Sequence, residues 1–271
     1  MTRHYLAIPA GSFLLICMLL PVCAQTNTDN PQGQLPPAAA ASDQTAKLSD
    51  EDMGRLYLVR KQYREAQDLF HKLTVEQPKN AIYWNELGIS LHHQGDLDNA
   101  LKCYQRSAKL DSHYADAQNN AGTIFYERQK YPKAIRAYKK AIALNDNFAT
   151  FYLNLGYAYF GEKNYEESIA TFRKALKIDP DAFEVARSRA GTVIQDRSIA
   201  TDRARFYFLL AKSFAESGNV ERCVIYLKKA KDEGYQEINT VRSDPSFALV
   251  IKDPAVQELL LDKGAASAQQ P

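Results

Sequence analysis

Glycines stand at 54, 88, 122 and 156, each 34 residues after the one before, and a fixed step of this size marks a chain built from one structural unit stacked on itself. Other positions keep the step. Tyr57, Leu91, Phe125 and Tyr159 form an apolar column, and Tyr63, Leu97, Tyr131 and Tyr165 another. Ala66, Ala100, Ala134 and Ser168 form a small-residue column, and Phe70, Tyr104, Tyr138 and Phe172 an aromatic one. Four units therefore follow one another without a gap, at 47–80, 81–114, 115–148 and 149–182. No single glycine motif carries comparable weight, because here several independent columns agree on one period.

Within each unit apolar residues recur at helical spacing in two blocks, which break near Lys61-Gln62, Gly95-Asp96, Gln129-Lys130 and Lys163-Asn164. Each unit is thus predicted to be a helical hairpin, and the fold class is all-α, a solenoid of stacked hairpins. The Gly and Ala columns let helices approach closely, while the aromatic columns fill the space beside them. Pro78 and Pro180 end the second helix of their units, since proline cannot extend a helix. Units two and three carry Ser112 and Asp146 instead, which predicts less sharply set ends. Trp84-x2-Leu87-Gly88 with Ala100, Tyr104 and Ser107, and Tyr152-x2-Leu155-Gly156 with Ser168, Phe172, Ala175 and Pro180, resemble the tetratricopeptide repeat.

The flanks have other characters. Residues 1–24 read as an export signal: Arg3 and His4, an apolar run from Phe13 to Leu20, then Val22-Cys23-Ala24 before Gln25. Cleavage after Ala24 is the expectation, to be checked by sequencing the mature N-terminus; a lipid on Cys23 or an uncleaved anchor are the alternatives. The expected location is accordingly periplasmic or secreted, or membrane-anchored if Cys23 is lipidated. Residues 25–46, with three Pro and a run of four Ala, lack the apolar surface that offsets ordering entropy and read as a disordered linker, as does the tail 264–271. After the fourth unit the register lapses over 183–203, where Ala190-Gly191-Thr192 echoes Ala121-Gly122-Thr123 and predicts a helix from Phe183 to Asp196, then a loop. It returns as a degenerate fifth unit at 204–237. Asp244-Pro245 and Asp253-Pro254 then predict two short capping helices within 238–263. Outside the export signal there are two cysteines, Cys103 and Cys223, too many layers apart to bridge and read as packed thiols.

Chemistry is sparse. His92 and His93 are adjacent and point about 100° apart on a helix, unlike an i, i+4 metal pair. There is no Ser-His-Asp order and no glycine-rich phosphate loop, so the expectation is a protein without catalytic residues, metal or cofactor. A net charge of +2 gives no long-range field to concentrate nucleic acid or anionic membrane, partners that usually meet a clustered basic surface, and Lys139-Lys140 and Lys228-Lys229 read as solvated helix faces.

The resemblance implies a concave face lined by first helices. Carried over residue by residue, it assigns Asn85, His92, Asn119, Asn120, Tyr126, Asn154, Tyr157, Phe160 and Phe208 to a peptide-binding groove. The asparagines form a row able to grip a peptide backbone, with aromatic faces beside it; the alternative is that they bond between neighbouring repeats. Six carboxylates (Glu51, Asp52, Glu86, Asp116, Glu127, Glu216) against three cations (Arg55, Arg205, Lys212) make the face mildly acidic. The expected function is an exported scaffold or adaptor for a protein or peptide partner in a bacterial envelope, with no nucleic acid and no small-molecule substrate. A structural subunit of an envelope assembly is the other reading.

Overall fold

The computed structural model describes residues 48–185 and 202–261. The expected export signal, linker and C-terminal tail lie outside the described residues, as does most of the helix expected from Phe183 to Asp196. Eight helices form four hairpins: α1 (Asp50–Val59) with α2 (Tyr63–Glu76), α3 (Ala81–His93) with α4 (Leu97–Leu110), α5 (Ala115–Glu127) with α6 (Tyr131–Leu144), and α7 (Ala149–Gly161) with α8 (Tyr165–Ile178). Each first helix packs against its own partner and, from α3 on, against the second helix before it, and α5 also touches α3 and α7. Among the described residues there is no strand. The helix breaks fall where the periodicity places them.

Local chemistry sets the boundaries. Ser49, Asn80, Asp96 and Asn164 cap their helices by accepting from backbone N–H groups. The second helices end in register at Glu76, Leu110, Leu144 and Ile178, so the ends expected to be looser are as well defined as the others. The reason lies one residue beyond: in units two and three the Asp111 carboxylate and the Asn145 carboxamide accept from the N–H two residues on, at 2.9 and 3.1 Å, the same turn that Asp179 makes beside Pro180 at 2.9 Å.

Between the helices of each hairpin one residue adopts left-handed backbone. Gly95 (φ 83°) and Gly218 (φ 74°) hold that place in two units, but Lys61 (59°), Gln129 (55°) and Lys163 (63°) hold it in the others. A Cβ in this region costs roughly 1–2 kcal/mol, partly offset by the lower unfolded-state entropy of a non-glycine residue. Gln129→Gly and Lys163→Gly are each expected to raise stability by about 0.5–1 kcal/mol, read as a higher urea midpoint at unchanged slope.

The columns explain the core. A Cβ on Gly54, Gly88, Gly122 or Gly156 would meet the ring of Phe70, Tyr104, Tyr138 or Phe172 at 2.9, 2.6, 2.6 and 2.4 Å respectively. All four rings are fully buried. Glycine and aromatic therefore belong together across each hairpin. At the equivalent places in the fifth unit stand Ala211 and Leu227, both buried, an added methyl balanced by a smaller side chain. Where serine replaces alanine, Ser168 donates to the carbonyl of Gly156 at 2.9 Å.

Beyond α8 the fifth hairpin stands where the sequence places it. A short helix, α9 (Ala182–Val185), follows α8, and then α10 (Arg203–Glu216) pairs with α11 (Val220–Asp232). It is α10 that packs against α8 as α3 packs against α2, so the fifth hairpin succeeds the fourth directly in the stack. Phe183 sits 5.2 Å from Phe172 and 5.9 Å from Phe214, closing the joint. The C-terminal cap is different in detail: 3₁₀ turns at Ile238–Arg242 and Pro245–Phe247 precede α12 (Pro254–Leu261). Val241, Phe247, Val250 and Val256 are buried against α10 and α11. Lys231 and Arg242 donate to the carbonyls of Leu259 and Leu260 at the end of α12. Cys103 and Cys223 are free and buried, and burial pushes their thiols up to about 11 and about 12.

Candidate functional site

The asparagine row exists, but it faces inward. Asn85, Asn119, Asn120 and Asn154 are at most 2% exposed. Asn154 Nδ2 donates to Asn119 Oδ1 at 2.9 Å, Asn119 Nδ2 to Asn120 Oδ1 at 3.2 Å, and Asn120 Nδ2 to Asn85 Oδ1 at 2.9 Å. Asn85 Nδ2 ends the chain on the Tyr114 hydroxyl at 3.4 Å. The row is a ladder across three units, with Asn154 Oδ1 left unpaired at its far end. Because neighbouring first helices touch, carboxamides at equivalent positions reach one another before they reach a groove. The expectation that these side chains grip a peptide backbone is thereby corrected: they bond between repeats.

The aromatic members of the expected groove are also core residues. Tyr126 packs edge-on to Tyr131 at 5.4 Å. Tyr157 and Phe160 meet Phe206 at 5.7 and 5.4 Å. Phe208 stacks on Tyr235 at 4.3 Å and lies 5.8 Å from Phe247, so the C-terminal cap covers α10 on this side; Lys212 is held there by Asp244 at 2.7 Å. His92 is buried as well: its Nε2 lies 2.8 Å from Glu127 Oε1 of the next unit, and its Nδ1 lies 3.4 Å from the Tyr104 hydroxyl. Sequence position alone could not show this, since the spacing that puts a residue on a helix face does not say what covers that face.

Most of the exposed residues of the first helices lie on α1, α3 and α5. Asp52, Arg55 and Ile82 are exposed, and Glu51, Glu86, Ile89 and Asp116 half-buried. Glu51 is engaged twice, by Arg55 at 2.8 Å and by the Tyr83 hydroxyl at 2.7 Å; Tyr83, buried behind this face, was not singled out from the sequence. Burial, with lesser contributions from Asp116 and Glu51, pushes the Glu86 carboxyl up to about 7 against the weaker pull of Arg55. Burial raises Asp116 in the same direction. These carboxyls are poorly matched by cations of the protein itself.

The Glu86 shift predicts a pH dependence of stability. A carboxyl whose pKa is higher folded than unfolded binds more protons in the folded state, so its contribution is whole below about 4.5 and lost as pH rises through about 7. Glu86→Gln is expected to be nearly neutral at pH 4.5 and to stabilise by roughly 2 kcal/mol at pH 8, allowing for partial exposure. Thermal melts of both proteins at the two pH values measure it.

Among the described residues no group of three or more His, Cys, Asp or Glu is placed to hold a metal ion, and no helix is long and apolar enough to cross a membrane. Models of the tetratricopeptide repeat match residues 51–118 and 149–182, and a TPR repeat model matches 122–163. No curated protein matches the chain. Among solved structures, MamA is 21% identical, covering 69% of this chain and 98% of its own at a TM-score of 0.47. A MamA segment from Desulfovibrio magneticus RS-1 is 18% identical, with 69% and 95% covered and a TM-score of 0.48. YrrB, described as a TPR protein with an unusual peptide-binding site, is 14% identical, with 72% and 91% covered and a TM-score of 0.46.

Proposed function

We propose that this chain, whose residues 51–118 and 122–182 belong to the tetratricopeptide repeat family, is an exported protein-interaction scaffold without enzymatic activity, working in a bacterial envelope. The observation that carries the reading is the open face of α1, α3 and α5, which carries Ile82 and Ile89 together with Glu86 and Asp116, two carboxyls that make no ion pair among the described residues. Such a face suits a polypeptide segment that presents a Lys or Arg beside an apolar side chain. Pairing with that cation would lower the Glu86 pKa and release a proton, so binding is expected to strengthen from pH 6 to pH 8. Residues 1–24 support export. N-terminal sequencing of the mature protein tests that part, and a start at Gln25 is the expected result.

The interaction itself is tested by affinity purification from the native envelope, followed by titration of segments of the recovered partner. Ile89→Ser and Glu86→Gln should each weaken binding at least several-fold, with the helical signal unchanged. Equal affinity for both variants and the parent would place the contact elsewhere. A partner retained through gentle extraction in a large complex, and not displaced by peptide, would favour the structural-subunit reading.

A further inference from the structure

The 34-residue step that stacks the hairpins also aligns their charge. From Lys102 to the end of α4, from Arg136 to the end of α6 and from Ala170 to the end of α8, the second helices carry nine cations and no carboxylate. Arg136, Lys139 and Lys140 lie at the centre, on α6, which has no acidic residue anywhere along its length. Arg106 and Lys174 occupy the place of Lys140 one unit before and one unit after. Lys102 and Lys109 on α4 and Lys177 on α8 extend the cluster. All of these are exposed, and among the described residues none makes an ion pair; only the ninth cation, Arg173, does, with Glu216 at 2.7 Å. Carboxylates lie at the borders, at Asp96, Asp98, Glu166 and Glu167 before this stretch and at Asp111, Asp146, Asp179 and Asp181 after the helix ends. A chain of net charge +2 thus concentrates its positive charge on one face.

We propose that this second-helix face of α4, α6 and α8 docks on an anionic phospholipid surface. Its composition separates the candidate occupants. Protein interfaces are enriched in aromatic residues and methionine and depleted in lysine and alanine, whereas six of the twelve exposed residues here are lysine, three are arginine, and none is aromatic or methionine. Single-stranded nucleic acid is held by stacking on exposed aromatics, but Tyr104, Tyr138 and Phe172 on these helices are buried. Clusters of four to eight Lys or Arg beside an anionic leaflet need no fixed geometry, only proximity, which the flexible lysine stem supplies. One stem is already laid against the surface: Lys139 Nζ lies 5.5 Å from the centre of the Tyr159 ring.

The test is flotation of the full chain with vesicles of phosphatidylcholine alone and of phosphatidylcholine mixed with phosphatidylglycerol, at low and high salt. Binding should require phosphatidylglycerol and collapse in high salt. Arg136→Gln with Lys140→Gln should weaken it about fivefold per charge removed, with an unchanged melting temperature because both sites are exposed. Asp52→Asn with Asp116→Asn, on the opposite first-helix face, should not weaken it. Unchanged binding by the Arg136/Lys140 variant, or equal binding to neutral vesicles, would overturn the proposal. So would retention on duplex DNA or polyglutamate with none on the anionic vesicles, since the occupant would then be a different polyanion.

Discussion

Gly122→Leu is expected to destabilise the protein by about 3 kcal/mol or more, against roughly 1–2 kcal/mol for Gly95→Leu. The first substitution drives a Cβ to within 2.6 Å of the Tyr138 ring. That ring is fully buried and its hydroxyl is tied to Thr123 at 3.4 Å, so it has no space into which to retreat, and overpacking at such a contact reaches the upper part of its usual range. A Cβ on Gly95 would meet nothing within 4 Å, so this substitution carries only the strain of the left-handed backbone. Urea unfolding of the three proteins measures the difference. A turn variant weaker than the helix variant would refute the assignment of glycine to the close-packing column.

Asn120→Ala combined with Asn154→Ala is expected to cost about 3–5 kcal/mol. Neither truncation removes a lone hydrogen bond between exposed groups. Asn120→Ala strands the Asn85 carbonyl and the Asn119 amide, and Asn154→Ala strands the Asn119 carbonyl, all in sites at most 2% exposed. Leaving a buried polar atom unpaired costs roughly 1–3 kcal/mol. The gain in helix propensity from alanine, about half a kcal/mol per site, does not offset that. A double variant with parental stability would mean that the ladder bonds contribute little, and would reopen the row as a surface for ligands. Asn154→Leu alone should be milder than Asn120→Ala, because Asn154 donates a single ladder bond and its oxygen is already unpaired.

Both predictions start from features visible along the chain, yet they differ in how much of their content the chain carries. Gly122 and Tyr138 sit in columns that keep a 34-residue step, and a step shared by small and large residues already implies that one packs on the other. The hairpins and their breaks follow from the same periodic record, because periodicity reports which residues share a helix face. The asparagines also stand near equivalent positions, but periodicity is silent on whether that face meets solvent, a ligand or the next helix. Contact between successive first helices decided it, turning an expected row of ligand contacts into a buried ladder.

The same division holds at the ends and on the surface. That residues 204–237 form another hairpin was legible from Tyr207, Phe214, Gly218 and Leu227. Its docking directly on α8 was not, because the 21 residues between the units hide the stacking partner from any count of register. Phe208 has the sequence place of a groove residue, and only the return of Tyr235 and Phe247 across α10 makes it core. Charge shows the contrast most plainly. Lysines scattered through the chain read as solvated pairs, and their number is fixed by sequence alone. Their concentration on one face depends on the stack, which brings residues 34 apart onto adjacent hairpins, while the acids collect at helix starts, where the dipole favours them, just past helix ends, where they cap turns, and on the first-helix face.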